Sequence, residues 1–227
     1  MCGRFTITLS KNDVKSYIKT QYQIDVEDQM FHTPDYNIAP GQNILACLYD
    51  GKSYRVGMIK WGLMPFESKK TTNRFEIINV KSETIFDKNI FKPLVQKQRI
   101  IIFSDGFYEW KNENGHKIPY YIRLKTKSMY PMAGIRSVLK LKNGDVIHSC
   151  AILTTHANPL MKNIHHRMPV ILTEETAKIW LKNDIHDKDK VKDFFTPFHH
   201  QLMEAIQVSS YVNHSKNNDA TCIDAVL

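Results

Sequence analysis

No stretch of the 227-residue chain is apolar for long enough to act as a signal peptide or to span a membrane. Low-complexity linkers, internal repeats and abrupt shifts of composition are missing too. These absences lead us to expect one domain over residues 1–227, intracellular and away from the membrane. Cysteine is scarce: Cys2, Cys47, Cys150 and Cys222 are widely spread with no CxxC pair, which argues against a zinc site or a disulfide scaffold. The ten histidines include no HExxH or similar ligand spacing, and His199-His200 is a pair without further ligands, so neither a metal nor another cofactor is expected. Acidic charge is also short, 23 Asp plus Glu against 31 Lys plus Arg, a formal net charge of +8. That excess suits a nucleic-acid binder, but the lysines form no tail or basic helix, so an ordinary basic enzyme fits as well.

What the chain does have is enough apolar content, 42% of residues, to enclose a sizeable core without disulfides or metals. Short apolar or alternating runs predict strands over residues 44–49, 53–60, 99–104, 118–124, 131–139 and 146–154. Turn signals at Asp50-Gly51, Asn112-Glu113-Asn114-Gly115 and Asn143-Gly144-Asp145 join them as hairpins. After an N-terminal strand, Ser10 with Asp13 caps a helix carrying Val14, Tyr17 and Ile18. A second helix is expected over 82–97. A third starts at Thr173, where Thr176 replaces the usual capping-box Glu. Residues 183–192 read as a polar surface loop, and Cys47 and Cys150 as reduced core residues. The fold class is therefore α+β: a mainly antiparallel core, barrel-like or of two packed sheets, covered by a few short helices.

Three places carry chemistry. Cys2, once Met1 is removed, places an α-amine (pKa ~7.7–8.0) and a thiol (~8.5) on adjacent carbons. The amine can form a Schiff base with an aldehyde, and the thiol can close on the imine carbon to give a thiazolidine. Glu109, within Asp105-Gly106-Phe107-Tyr108-Glu109-Trp110, has aromatic neighbours whose desolvation would raise its pKa and suit it to proton transfer. In Ile164-His165-His166-Arg167-Met168-Pro169, His165 suits proton transfer near neutrality, and the Arg167 fork suits phosphate. Taken one at a time, each has a plainer reading: an incidental cysteine, a strand glutamate in water, two surface side chains.

Taken in order, the segments resemble the SRAP family of abasic-site processing proteins. The likeness runs through Met1-Cys2-Gly3-Arg4-Phe5, Tyr36-Asn37-Ile38-Ala39-Pro40-Gly41-Gln42 and Trp61-Gly62-Leu63-Met64-Pro65. It continues with Asn79-Val80-Lys81-Ser82-Glu83-Thr84, Phe91-Lys92-Pro93, the Glu109 motif and His165-His166-Arg167-Met168-Pro169. The resemblance implies a catalytic group of Cys2, Asn79, Glu109 and His165. Cys2 would crosslink to the ring-opened sugar of an abasic site, Asn79 would position the N-terminal residue and the sugar, and Glu109 and His165 would share acid and base work.

It further implies a monomer that acts on single-stranded DNA in the cytoplasm, associated with the nucleoid if bacterial, in the DNA-damage and SOS response. Lyase-like self-crosslinking and a peptidase-like removal of residues ahead of the cysteine are implied as well. Arg4, Lys81 and Arg167 would touch phosphates, Gly3 and Pro40 would let the backbone approach, Phe66 and Phe107 would support stacking, and Asn37 and Thr154 would complete the DNA-contacting set. The chain departs from frequent family choices at Phe66 (often Trp), Lys81 (often Arg) and His166 (often Asp). Two rival readings are an N-terminal-nucleophile hydrolase and a non-covalent single-strand binding module.

Overall fold

The computed structural model describes residues 2–64, 76–141 and 143–226. Its strands are β1 (Arg4–Ile7), β2 (Asp35–Ile38), β3 (Asn43–Tyr49), β4 (Tyr54–Trp61), β5 (Asn79–Lys81), β6 (Arg99–Ser104), β7 (Gly106–Glu113), β8 (His116–Leu124), β9 (Tyr130–Lys140), β10 (Val146–His156), β11 (Arg167–Pro169) and β12 (Met203–Gln207). The helices are α1 (Lys11–Tyr22), α2 (Lys92–Lys97), α3 (Glu174–Lys182) and α4 (Lys188–Lys192).

Strands β10, β4, β3, β6 and β9 pair in that order, and β9 returns to β10, so the five close into a barrel. A second sheet, β12-β8-β7-β1-β2, is antiparallel throughout. The turn residues read from sequence act as expected. Asp50 accepts from the Lys52 and Ser53 amides at 2.9 Å each, and Asn112 Oδ1 accepts from the Gly115 amide at 3.1 Å. Asn114 and Gly115 both have positive φ, the backbone sense that matches the strand twist of a tight hairpin.

The long strand β10 organises the functional end. Its first half pairs antiparallel with β9, while its parallel neighbours are β4 at Ser149 and Cys150 and β5 further along. These two parallel pairings are departures from an otherwise antiparallel core. Beyond the barrel wall, β5 lies on one edge of β10 (Ile152↔Asn79) and β11 pairs antiparallel with its end (His156↔Arg167). Gly106 at the start of β7 is required sterically, since a Cβ there would sit 2.3 Å from the Tyr121 ring.

Helix α1 is capped by Ser10, which accepts from the Asp13 amide, and it buries Val14, Ile18 and Tyr22 against the core. The capping box of Thr173 and Thr176 on α3 is fully formed, and Trp180 lies buried under it. The helix expected over 82–97 is instead a 3-10 turn, Ser82–Thr84, and the short α2. Pro93 explains the break: it lacks an N–H and disfavours helical backbone before it, so it is accommodated only in the first turn of α2. The polar segment 183–192 is not all loop, because Asp187 accepts from the Asp189 and Lys190 amides and caps α4. Among the described residues, no helix is long and apolar enough to cross a membrane.

Candidate active site at the start of β1

Cys2 is fully buried, next to the first residues of β1. Pairing of β1 with β7 runs Arg4↔Tyr108, Phe5↔Phe107 and Thr6↔Gly106, and the same antiparallel register carried back toward the N-terminus brings Gly3 alongside Glu109. Asn79, at the start of β5, donates through Nδ2 to the Cys2 carbonyl at 2.7 Å. Its Oδ1 is buried and has no partner among the described residues, which leaves an acceptor at the site for a substrate hydroxyl or an amine.

Burial pushes the Cys2 thiol well above the ordinary thiol range, and the nearby Glu109 carboxylate pushes it the same way. Both effects favour the protonated thiol. Glu109 is itself only 2% exposed, and desolvation raises its carboxyl above the usual carboxylate range. The aromatic neighbours are not the cause expected from the sequence. Side chains alternate along a strand, so Tyr108 and Trp110 stand on the face of β7 that meets a smaller cluster with Tyr121, Val208, Val212 and Cys222. Glu109 points the other way, to the side of Phe107 and Cys2.

His165 completes the group. Its Nδ1 is 3.8 Å from Glu109 Oε1 and accepts from the Arg167 amide at 3.0 Å. Burial lowers its pKa, and its ring stacks on His166 with centroids 4.3 Å apart. Glu109 and His165 line a cleft of about 500 Å³ with Trp110, Asn112, Lys117 and Asn213. A larger cavity, about 740 Å³, lies beside α3 among Ile179, Phe194, Phe198 and Leu202, and none of Cys2, Asn79, Glu109 or His165 lines it.

Residues 1–215 match the family model described as SOS response associated peptidase (SRAP). The chain belongs to the SRAP family. It is 41% identical to the abasic site processing protein YoqW of Bacillus subtilis, over 99% of this chain and 100% of that one. It is 30% identical to the abasic site processing protein YedK of Escherichia coli over 83% of each chain. A crystal structure of a protein from Bacteroides thetaiotaomicron superposes over the whole of both chains with a TM-score of 0.84 at 27% identity.

The SRAP-type DNA contacts read from the sequence fall into distinct settings. Lys81 and Pro40 are exposed, and Gly3 is half-buried. Arg4 is half-buried and turned inward: Nη1 donates to Asn37 Oδ1 at 2.7 Å and to the Val212 carbonyl at 2.9 Å, and Nη2 donates to the Asn213 carbonyl at 3.1 Å. Asn37 is buried and donates to the carbonyls of Val212, His214 and Asn217, so the pair clips the C-terminal segment onto β1 and β2. Thr154 is buried on β10, and Arg167, 3% exposed, lies against it with its guanidinium paired to Glu83. Phe107 needs correction as a stacking residue. Its ring has no exposed surface and belongs to the main core cluster, so a base cannot reach it. Phe66 lies outside the described residues.

The cleft also contains residues that sequence reading passed over. Asn112 and Lys117 are direct partners across the β7–β8 hairpin, a placement that the turn at Asn114-Gly115 implies. Asn213 arrives from the C-terminal segment, held by a hydrogen bond of 2.7 Å from Trp110 Nε1 to its Oδ1. No local pattern around Asn213 announces that contact.

Proposed function

We propose that this SRAP protein recognises abasic sites in single-stranded DNA and captures them covalently through Cys2, exposed as the N-terminal residue by removal of Met1. The carrying observation is the setting of Cys2: buried, gripped at its carbonyl by Asn79, and adjacent to a carboxyl that desolvation keeps protonated to higher pH. The ring-opened sugar presents an aldehyde. The Cys2 amine adds to its carbonyl carbon, the oxygen leaves as water, and an imine remains. The thiol then adds to the imine carbon while its proton passes to the nitrogen, which closes a five-membered thiazolidine.

Burial of the sulfur opposes the thiolate, which supports this order, with amine attack first and sulfur second. A hydrolase that opens with thiolate attack fits less well, because both burial and Glu109 oppose the thiolate. Glu109 moves the protons, with His165 beside it, and Asn79 Oδ1 is available to accept from the freed amine or a sugar hydroxyl. The peptidase-like step in this reading is the removal of Met1. The shielded adduct would protect the DNA from strand cleavage at the abasic site.

Intact mass before and after exposure to a single-stranded oligonucleotide with one abasic site tests the proposal. The expected result is a chain lacking Met1 that gains one oligonucleotide less one water, in an adduct that survives denaturing gels. A chain with a non-removable residue ahead of Cys2 keeps the thiol but turns the amine into an amide, and should form no adduct. Wild-type adduct levels from that chain, with the extension verified by mass, would overturn the aminothiol route. Complete loss of the complex on denaturation would instead indicate non-covalent binding.

A further inference from the structure

The backbone decides which nitrogen of His165 carries the proton. The Arg167 amide N–H is aimed at Nδ1 at 3.0 Å and requires a lone pair there. The opposite tautomer would use Nδ1–H to reach the Arg167 carbonyl at 3.4 Å, trading a good hydrogen bond for a long one and setting two donors against each other. The neutral ring therefore holds its proton on Nε2.

The donor that enforces this is itself held firmly. Arg167 pairs with His156 at the end of β10, and its buried guanidinium meets both carboxylate oxygens of Glu83, at 2.7 and 2.8 Å. Nη2 also donates to the Thr154 carbonyl at 2.5 Å, and His156 Nε2 lies 3.1 Å from the same Glu83. A bidentate pair between this buried guanidinium and the partly exposed Glu83 carboxylate fixes the orientation of the strand that carries the amide.

We infer that His165 enters abasic-site capture as a neutral imidazole donating an Nε2–H hydrogen bond to an oxygen of the sugar, and that the Glu83–Arg167 clamp is the positioning device that fixes this tautomer. The inference rests on the capture reading for its substrate, but not for its geometry. A neutral imidazole that gave up Nε2–H would become an imidazolate, so His165 keeps its proton. The proton released by the attacking amine and the one taken by the departing water then both pass through the Glu109 carboxyl. His165 polarises and orients, in the manner of a preorganised donor at a site of developing charge.

Two measurements test this. Nitrogen-15 spectra of the labelled full chain should show a pyrrole-type Nε2 and a pyridine-type Nδ1 for His165; the reverse assignment overturns the inference. That readout needs no DNA, so it separates failure here from failure of the capture reading. The second is crosslinking by His165→Gln, whose side-chain amide keeps a donor near the position of Nε2 but cannot titrate. His165→Gln should stay within about tenfold of wild type, while His165→Ala loses on the order of 10²-fold. Equal losses in the two variants would restore His165 as a proton carrier. For the clamp, a folded Glu83→Gln protein should show mixed tautomers at His165, and an unchanged Nε2–H spectrum would remove Glu83 from the device.

Discussion

Two carboxylates on neighbouring stretches of backbone, Asp105 and Glu109, are almost equally buried, at 3% and 2% exposed, yet their neighbours differ in kind. Asp105 is ringed by donors: Thr6 Oγ1 at 2.6 Å, Thr8 Oγ1 at 2.8 Å, the Leu9 amide at 3.1 Å and the Thr8 amide. These contacts tie the end of β1 and the residues after it to the β6–β7 corner. Glu109 lies near a buried thiol and an imidazole, and desolvation raises its carboxyl although the Trp110 amide donates to it. Burial alone does not separate scaffold from chemistry. The surroundings do: side-chain and backbone donors from β1 and the residues after it anchor Asp105 to the scaffold, while Glu109 sits beside the thiol and the imidazole with its carboxyl raised by desolvation.

The comparison breaks most visibly if Asp105 proves dispensable. Asp105→Ala strands the buried Thr6 hydroxyl and several part-buried donors and should lower unfolding free energy on the order of 4 kcal/mol, read from urea or guanidinium midpoints. A loss below about 1 kcal/mol would mean that water or a shifted backbone replaces the carboxylate. The next effect is catalytic. Glu109→Gln should slow adduct formation about 10²-fold, equivalent to roughly 2.7 kcal/mol of barrier, and leave binding to intact single strands unchanged. Equal crosslinking rates on denaturing gels would move the proton-transfer role elsewhere.

Much of this contrast cannot be read from the chain as a string. The runs over 44–49, 53–60, 99–104, 118–124, 131–139 and 146–154 correspond to β3, β4, β6, β8, β9 and β10, since apolar alternation and Asn or Gly turns encode hairpins locally. Short strands such as β5 and β11 have no such pattern and form because the edges of β10 accept them. The candidate site is picked out by motif order rather than periodicity, and the fold brings Asn79 onto Cys2 and Glu109 near His165. What stayed hidden depends on distant pairs: Arg167 with Glu83, Asn37 with Val212 through Asn217, Thr8 with Asp105. An arginine that looks like a phosphate fork and an asparagine that looks like a surface contact are both turned inward. Only tertiary structure decides that.

A smaller effect sharpens the boundary between core and DNA surface on β7. Phe107→Leu should cost about 1–1.5 kcal/mol of stability through imperfect packing and leave the affinity of the folded protein for single strands unchanged. Weaker binding with stability intact would return Phe107 to the stacking surface.

The smallest effect tests Glu109 through its proton alone. Its folded carboxyl titrates above its unfolded one, so over the intervening pH range the native state binds a proton that the unfolded chain has released. Stability contributed by that proton is fully present below the unfolded pKa, near ~4.3, and is lost as pH rises through the raised folded value. Glu109→Gln removes the titration and keeps the shape, and the ionisable groups that do not interact with Glu109 cancel in the difference between the two proteins. The variant should therefore gain on wild type as pH rises, so that its melting temperature relative to wild type is higher near pH 8 than near pH 4.5. The check is a pair of thermal melts at each of several pH values. A gap that stays constant would show that Glu109 titrates alike in both states, and a gap that moves in favour of wild type with rising pH would mean that the native site stabilises the carboxylate, as a ring of donors would.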